Sequence, residues 1–278
     1  MKFILGDNQF IGVNHGDHLQ AKHSLGLFSD QTRIISFIEQ AATNGANGFS
    51  FSCSQKMNSL VGQLAIPENF RFFPTFPYAH SYADQLGRGG PIGAGLHVLR
   101  GSYLASAIAL FDALVKSNFT EIFKILIRNE LEKIDLKKVD VIFLNNIFTD
   151  LMISWNDKSL LRDLESALKT INPNIALGFM TMNCVKAISL LSSADINAHL
   201  CSIINPKGFR MNPSQVEVES VIDDTQIPIW AMSPFASGTC SSCEFWEYVN
   251  DKNMNLHGVI FGTTKISRIK EFIDAYST

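Results

Sequence analysis

Eight short apolar segments, each followed by residues of helical period, alternate from one end of this 278-residue chain to the other. The segments span 2–6, 48–53, 70–76, 139–145, 175–180, 199–204, 227–232 and 258–262. They are nearly continuous in apolar residues, as parallel strands are when helices cover both faces of the sheet. Helical patterns at 31–44, 160–171, 185–191 and 265–275 lie between them. Ser29-Asp30 precedes the first, Asn44-Gly45 ends it, and Asn172-Pro173 ends the second. Eight βα units in strict alternation point to a (β/α)8 TIM barrel, with residues 1–278 forming a single domain. A doubly wound sheet would call for a G-x-G-x-x-G turn after the first strand, and that turn is missing.

One connection breaks the rhythm. Between strands three and four, 80–139 is about twice the usual length, with a glycine-rich stretch at 87–95 and helical patterns at 97–116 and 119–134. It reads as an elaborated loop-helix insert, either a lid over the barrel mouth or a surface connection.

Composition narrows the function classes. A net charge of -3 without a basic stripe gives no reason to expect nucleic acid or an anionic membrane as partner. No run approaches the length of a membrane span, and the polar break after Leu5 leaves no signal-peptide core, so a cytoplasmic protein is expected. Five sparse cysteines do not form a disulfide framework. Cys240-Ser-Ser-Cys243 has redox-motif spacing but lacks that context, and reads as small residues in the first turn of a helix.

The last two strand ends carry the clearest chemical signal. Met232-Ser-Pro-Phe-Ala-Ser-Gly238 and Gly262-Thr-Thr-Lys-Ile-Ser-Arg268 each lead from a strand through small residues towards a helix. Backbone N–H groups at such a start attract an anion, and Ser233, Gly238, Thr263, Thr264, Lys265 and Arg268 add hydroxyls, a flexible turn and two cations. A phosphorylated small molecule is the ligand these residues suggest.

In order along the chain, these landmarks resemble the aldo-keto reductase superfamily. Asn44-Gly-Ala-Asn-Gly-Phe-Ser-Phe-Ser resembles its second-strand pattern, and Leu60-Val-Gly62 the leucine-x-glycine of the helix that follows. Leu177-Gly-Phe-Met-Thr-Met-Asn183 is similar to the family's turn after strand five. The two C-terminal loops are similar to its cofactor loops, the last of which holds the 2'-phosphate of NADP. The resemblance implies a barrel, NADP as cofactor and reduction of a small carbonyl or sugar substrate. The family's aspartate, tyrosine, lysine and histidine are not matched. Ser50 and Gln55 or a neighbour stand at the first two positions, strand three has no lysine, and strand four ends in Asn145-Asn146.

A replacement for these groups should lie among the strand ends. Asp7, directly after strand one, is a candidate base or a turn-capping carboxylate. Tyr78 and His80 share a face of an extended segment and are candidate proton donors. Asn8, Cys53, Asn145, Asn146, Asn183, Asn205 and Lys207 are candidate substrate contacts, the amides suiting a polyol. Cys53 could serve as a nucleophile or pack as a small apolar group. Lys207 could form a Schiff base or meet an anion. The cluster Asn14-His-Gly-Asp-His18 could hold a divalent ion with Asp7, but carboxylates at the strand ends are few and no metal site is assigned. Three readings stay open: an NADP-linked oxidoreductase with a displaced acid, a non-redox lyase, isomerase or hydrolase, and a non-catalytic ligand-binding barrel.

Overall fold

In a computed structural model, residues 1–13, 16, 18–77 and 119–277 are described. Eight parallel strands close into a barrel in chain order: β1 (Lys2–Leu5), β2 (Gly48–Ser52), β3 (Arg71–Phe76), β4 (Val141–Leu144), β5 (Ala176–Thr181), β6 (Ala198–Ile203), β7 (Ile229–Met232) and β8 (Leu256–Phe261). β8 pairs with β1 through Lys2↔Gly258 to Leu5↔Phe261, which shuts the ring. All eight expected strands are present, shifted by a residue or two at their ends.

The α-helices among the described residues are α1 (Asn8–Ile11), α2 (His18–Leu27), α3 (Gln31–Thr43), α4 (Gln55–Val61), α5 (Phe119–Leu131) and α6 (Asn146–Trp155). They continue with α7 (Lys158–Ile171), α8 (Cys184–Ala194), α9 (Gln215–Asp223), α10 (Ser242–Asp251) and α11 (Ile266–Asp274). α5 is the second helix expected of the insert, and its Phe123 ring packs on Phe76 at the end of β3. Residues 80–118 of the insert, including the first expected helix, lie outside the described residues. Most helix starts carry a short polar cap on a backbone N–H: Asp30, Ser54, Asn145, Asp157, Asn183, Ser214 and Ser241. Ser241 and Glu244 form a reciprocal capping box, which is how Cys240 and Cys243 come to flank the first turn of α10.

Two layers hold the barrel. The larger core lies between strands and helices, and a smaller one, including Ile4, Phe73, Phe143, Cys201 and Trp230, fills the barrel interior. Rings fit there because glycine stands beside them. Phe143 is the register partner of Gly178 and Trp230 that of Gly258. A Cβ on Gly178 would sit 2.4 Å from the Phe143 ring, and one on Gly258 would sit 2.5 Å from Trp230. At the N-terminal end of the barrel, the Trp230 indole N–H donates to Nδ1 of His199 at 2.9 Å. Nearby, Asp140 pairs with Lys2 at 2.8 Å and Arg71 at 3.3 Å. Polar chemistry at this face locks strands together; the opposite, C-terminal face carries the loops. Among the described residues no helix is long and apolar enough to cross a membrane.

Candidate functional site

At the C-terminal face, the loops after β1, β7 and β8 enclose a cleft of about 430 Å³, inside the ~300–1,000 Å³ range of small-molecule sites. Ser233, Gly238, Thr263, Thr264, Lys265, Arg268 and Asn8 all line it, so seven residues singled out in the sequence converge here. Gln9, Gln20, His23, Ser24 and Phe209 complete much of the wall. Of the described residues lining the cleft none is a carboxylate, while Lys265, Arg268 and His23 are basic.

Two local features shape this wall. After β7 the backbone turns through left-handed conformations at Ser233 (φ 58°), Ala236 (φ 43°), Ser237 (φ 62°) and Gly238 (φ 93°). Residues other than glycine enter that region at roughly 1–2 kcal/mol each, a cost that functional loops tolerate more often than structural ones. After β8, α11 starts at the cleft with no side-chain cap on its N-terminus. Thr263 instead braces the turn, its hydroxyl accepting from the Lys265 N–H at 3.2 Å. Lys265 and the first-turn Arg268 place positive charge at the positive end of the helix, an arrangement that costs a few tenths of a kcal/mol each until an anion joins them. The Arg268 guanidinium lies over the Phe235 ring, 6.0 Å from its centroid.

Asp7 stands immediately before Asn8 and Gln9. It is 8% exposed, and its carboxylate accepts the Ser52 N–H at 2.8 Å across the β1–β2 seam. Burial pushes its pKa up from 3.8 to about 6 despite this bond. The bond partner comes from β2, not from the turn after β1 as the capping alternative supposed. A carboxyl poised near neutrality at the barrel mouth can both hold and release a proton at physiological pH.

Asp7 itself is not among the residues that line this cleft, and neither are Cys53, Asn145, Asn146, Asn183, Asn205 and Lys207. Tyr78 and His80, like Asn14, His15 and Asp17, lie outside the described residues. Cys53 is 4% exposed, and burial, with the charges of Glu130 and Asp7 adding to it, holds its thiol well above the usual range. It packs as a small apolar group. Lys207 sits on the rim, its ammonium 2.8 Å from Glu244. That carboxylate raises the lysine pKa, the reverse of what an imine-forming amine needs. Asn145 and Asn183 engage their side-chain oxygens as the caps of α6 and α8, and Asn146 opens α6. Asn205 is fully buried and clamps Phe209, donating to its carbonyl at 3.0 Å and accepting its N–H at 2.9 Å. Where the tetrad was not matched, Ser50 is buried, Gln55 is exposed, β3 holds no lysine, and Asn145 is a cap.

Sequence reasoning passed over Phe209, Asp150 and the placement of His23, and Gln9 was read only as one of the polar residues after strand one. Gln9 is 6% exposed; its amide donates to the Gly6 carbonyl at 2.7 Å, and its own oxygen has no partner. Asp150 pins α6 to the end of β5 by accepting the Thr181 hydroxyl at 2.5 Å and the Met182 N–H at 3.1 Å. Asp150 carried no signal beyond its being an acid in an apolar helix. Phe209 follows an Asn-Pro-Lys-Gly turn, and only the fold shows which way it faces. Among the described residues no group of three histidine, cysteine or acidic side chains is arranged to hold a metal ion.

No family model and no curated protein matches the chain by sequence. Solved structures do match it. A Pseudomonas aeruginosa protein assigned to the aldo-keto reductases superposes with a TM-score of 0.61 at 14% identity, over 99% of this chain and 88% of its own. An aldo-keto reductase of Bacillus halodurans in its holo form gives 0.54 at 11% identity, over 91% and 84%. A mutant protein solved in complex with NADPH gives 0.51 at 9% identity, over 90% and 80%. The chain has the fold seen in aldo-keto reductases, far diverged in sequence.

Proposed function

We propose that the chain is an NADP-linked oxidoreductase of aldo-keto-reductase type, acting on a small carbonyl or sugar substrate with a displaced proton donor. The observation that carries this reading is the cleft itself. It combines two cations, hydroxyls, an uncapped helix start and left-handed loop backbone, with no carboxylate among its described lining residues. Such a donor set fits a dinucleotide phosphate. Ser233, Gly238, Thr263 and Thr264 would hold phosphate oxygens, and Lys265 and Arg268 would pair with the 2'-phosphate. The cofactor, when bound, supplies hydride to a carbonyl carbon. The chain supplies the proton. Asp7 takes that role, because at a pKa of about 6 a useful fraction of it is protonated near neutral pH and Ser52 keeps its carboxylate oriented.

The four unmatched positions favour a second reading, a non-redox enzyme on a phosphorylated small molecule that uses the same anion corner and Asp7 as base. Intrinsic fluorescence of Trp155, Trp230 and Trp246 separates the two. Quenching by micromolar NADPH, weaker with NADH and abolished by Lys265→Glu with Arg268→Glu, supports the redox reading. No quenching at millimolar NADPH, with sugar phosphates still protecting the fold against heat, favours the second.

A further inference from the structure

Resting on that reading, we propose that Phe209 is the ring platform of the cleft: its side chain packs against a planar ring of the bound nucleotide. The phosphate corner alone would select any anion of suitable size. Phe209 changes that. It is half-buried, one part resting on the core and another facing the cleft. Its neighbour in the lining, Phe235, is 8% exposed, packed edge-to-face with Phe261 and Phe272, and already covered by Arg268. Among the described residues no other ring packs on Phe209. A free aromatic face beside hydroxyls and two cations suits a flat heterocycle that carries phosphate.

The loop that carries Phe209 is fixed more firmly than a surface turn requires. Fully buried Asn205 uses both amide atoms on the Phe209 backbone, and Gly208 turns the chain at φ 62° just before it. A Cβ on Gly208 would lie 2.8 Å from the movable Gln215 amide oxygen, and the left-handed φ is what favours glycine at this turn. The backbone that carries the ring is therefore fixed before a ligand arrives, and stacking costs no ordering of the loop.

The test titrates the full chain with two probes, NADPH and 2'-phospho-ADP-ribose, which lacks the nicotinamide. Wild type is compared with Phe209→Ala, Phe209→Leu and Phe209→Tyr, after circular dichroism has confirmed folding. Phe209→Ala is expected to weaken binding roughly ten- to hundredfold, Phe209→Leu to recover part, and Phe209→Tyr to stay within about twofold of wild type. Loss confined to NADPH places the nicotinamide on Phe209; equal loss with both probes places the adenine there. A folded Phe209→Ala that binds both probes like wild type overturns the inference and leaves the redox reading intact. Wild type that binds only 2'-phospho-ADP-ribose, with that binding lost in Phe209→Ala, upholds the platform and removes the redox reading. Wild type that binds neither probe removes both.

Discussion

Replacing Asp7 with asparagine should make the protein more stable at neutral pH while stopping its turnover. The carboxylate is 8% exposed, and burial raises its pKa from 3.8 in the unfolded chain to about 6 in the fold. A folded pKa above the unfolded one means that the folded state binds the proton more tightly. The stabilisation is fully present below pH 3.8 and is lost as pH rises through about 6. The difference corresponds to about 3 kcal/mol, as an upper figure. The asparagine side chain would be neutral at every pH, keep the shape, and still accept the Ser52 N–H through its amide oxygen. The variant should therefore match wild type near pH 4 and exceed it by up to about 3 kcal/mol at pH 7.5, or by roughly 5 °C in melting temperature for a chain of this size. Thermal and urea unfolding at half-unit steps from pH 4 to pH 8 would trace the divergence. A D7N protein that is less stable than wild type at pH 7.5, or a gap that does not change with pH, would refute the claim that Asp7 is held at a desolvation cost.

Other expectations come from different parts of the barrel. Gly178→Ala drives a methyl to 2.4 Å from the Phe143 ring inside the barrel, and should lower stability by about 1–3 kcal/mol or prevent folding, read by urea denaturation. His199 accepts the Trp230 N–H on Nδ1, and its pKa is lowered to about 4, chiefly by burial. Because its folded pKa lies below the unfolded one, stability should fall as pH drops from about 6.5 towards 4, by on the order of 1–3 kcal/mol after allowing for its partial exposure. Trp230→Phe should flatten that acid slope, and an unchanged slope would acquit the pair. Ser241→Ala removes one half of the capping box and should cost about 1 kcal/mol in the same denaturation assay.

Much of the barrel was legible because burial on both faces makes parallel strands nearly continuous in apolar residues, and the eight segments stand out for that reason. That the residues after β7 and β8 share one cleft was legible too, since small residues leading from consecutive strands towards helices place both loops at the same barrel mouth. The asparagines were harder to read. Asn145 and Asn183 stand at strand ends, where recognition and helix capping call for the same short amide, and their oxygens are engaged as caps. Asn205 looks like a strand-end ligand, yet its bonds run to Phe209, four residues on, a contact that depends on the turn between them. His23 lines the cleft because α2 brings it there after β1, a path with too little apolar period to be seen in the sequence.

The most direct test of the central claim is a crystal structure of the chain grown with saturating NADP. An ordered cofactor is expected along the cleft between Ser233 and Lys265, with its 2'-phosphate against Lys265 and Arg268 and its reactive ring at the barrel mouth beside Asp7. A cofactor bound elsewhere on the barrel, or a cleft that stays empty of it at saturation, would contradict the account.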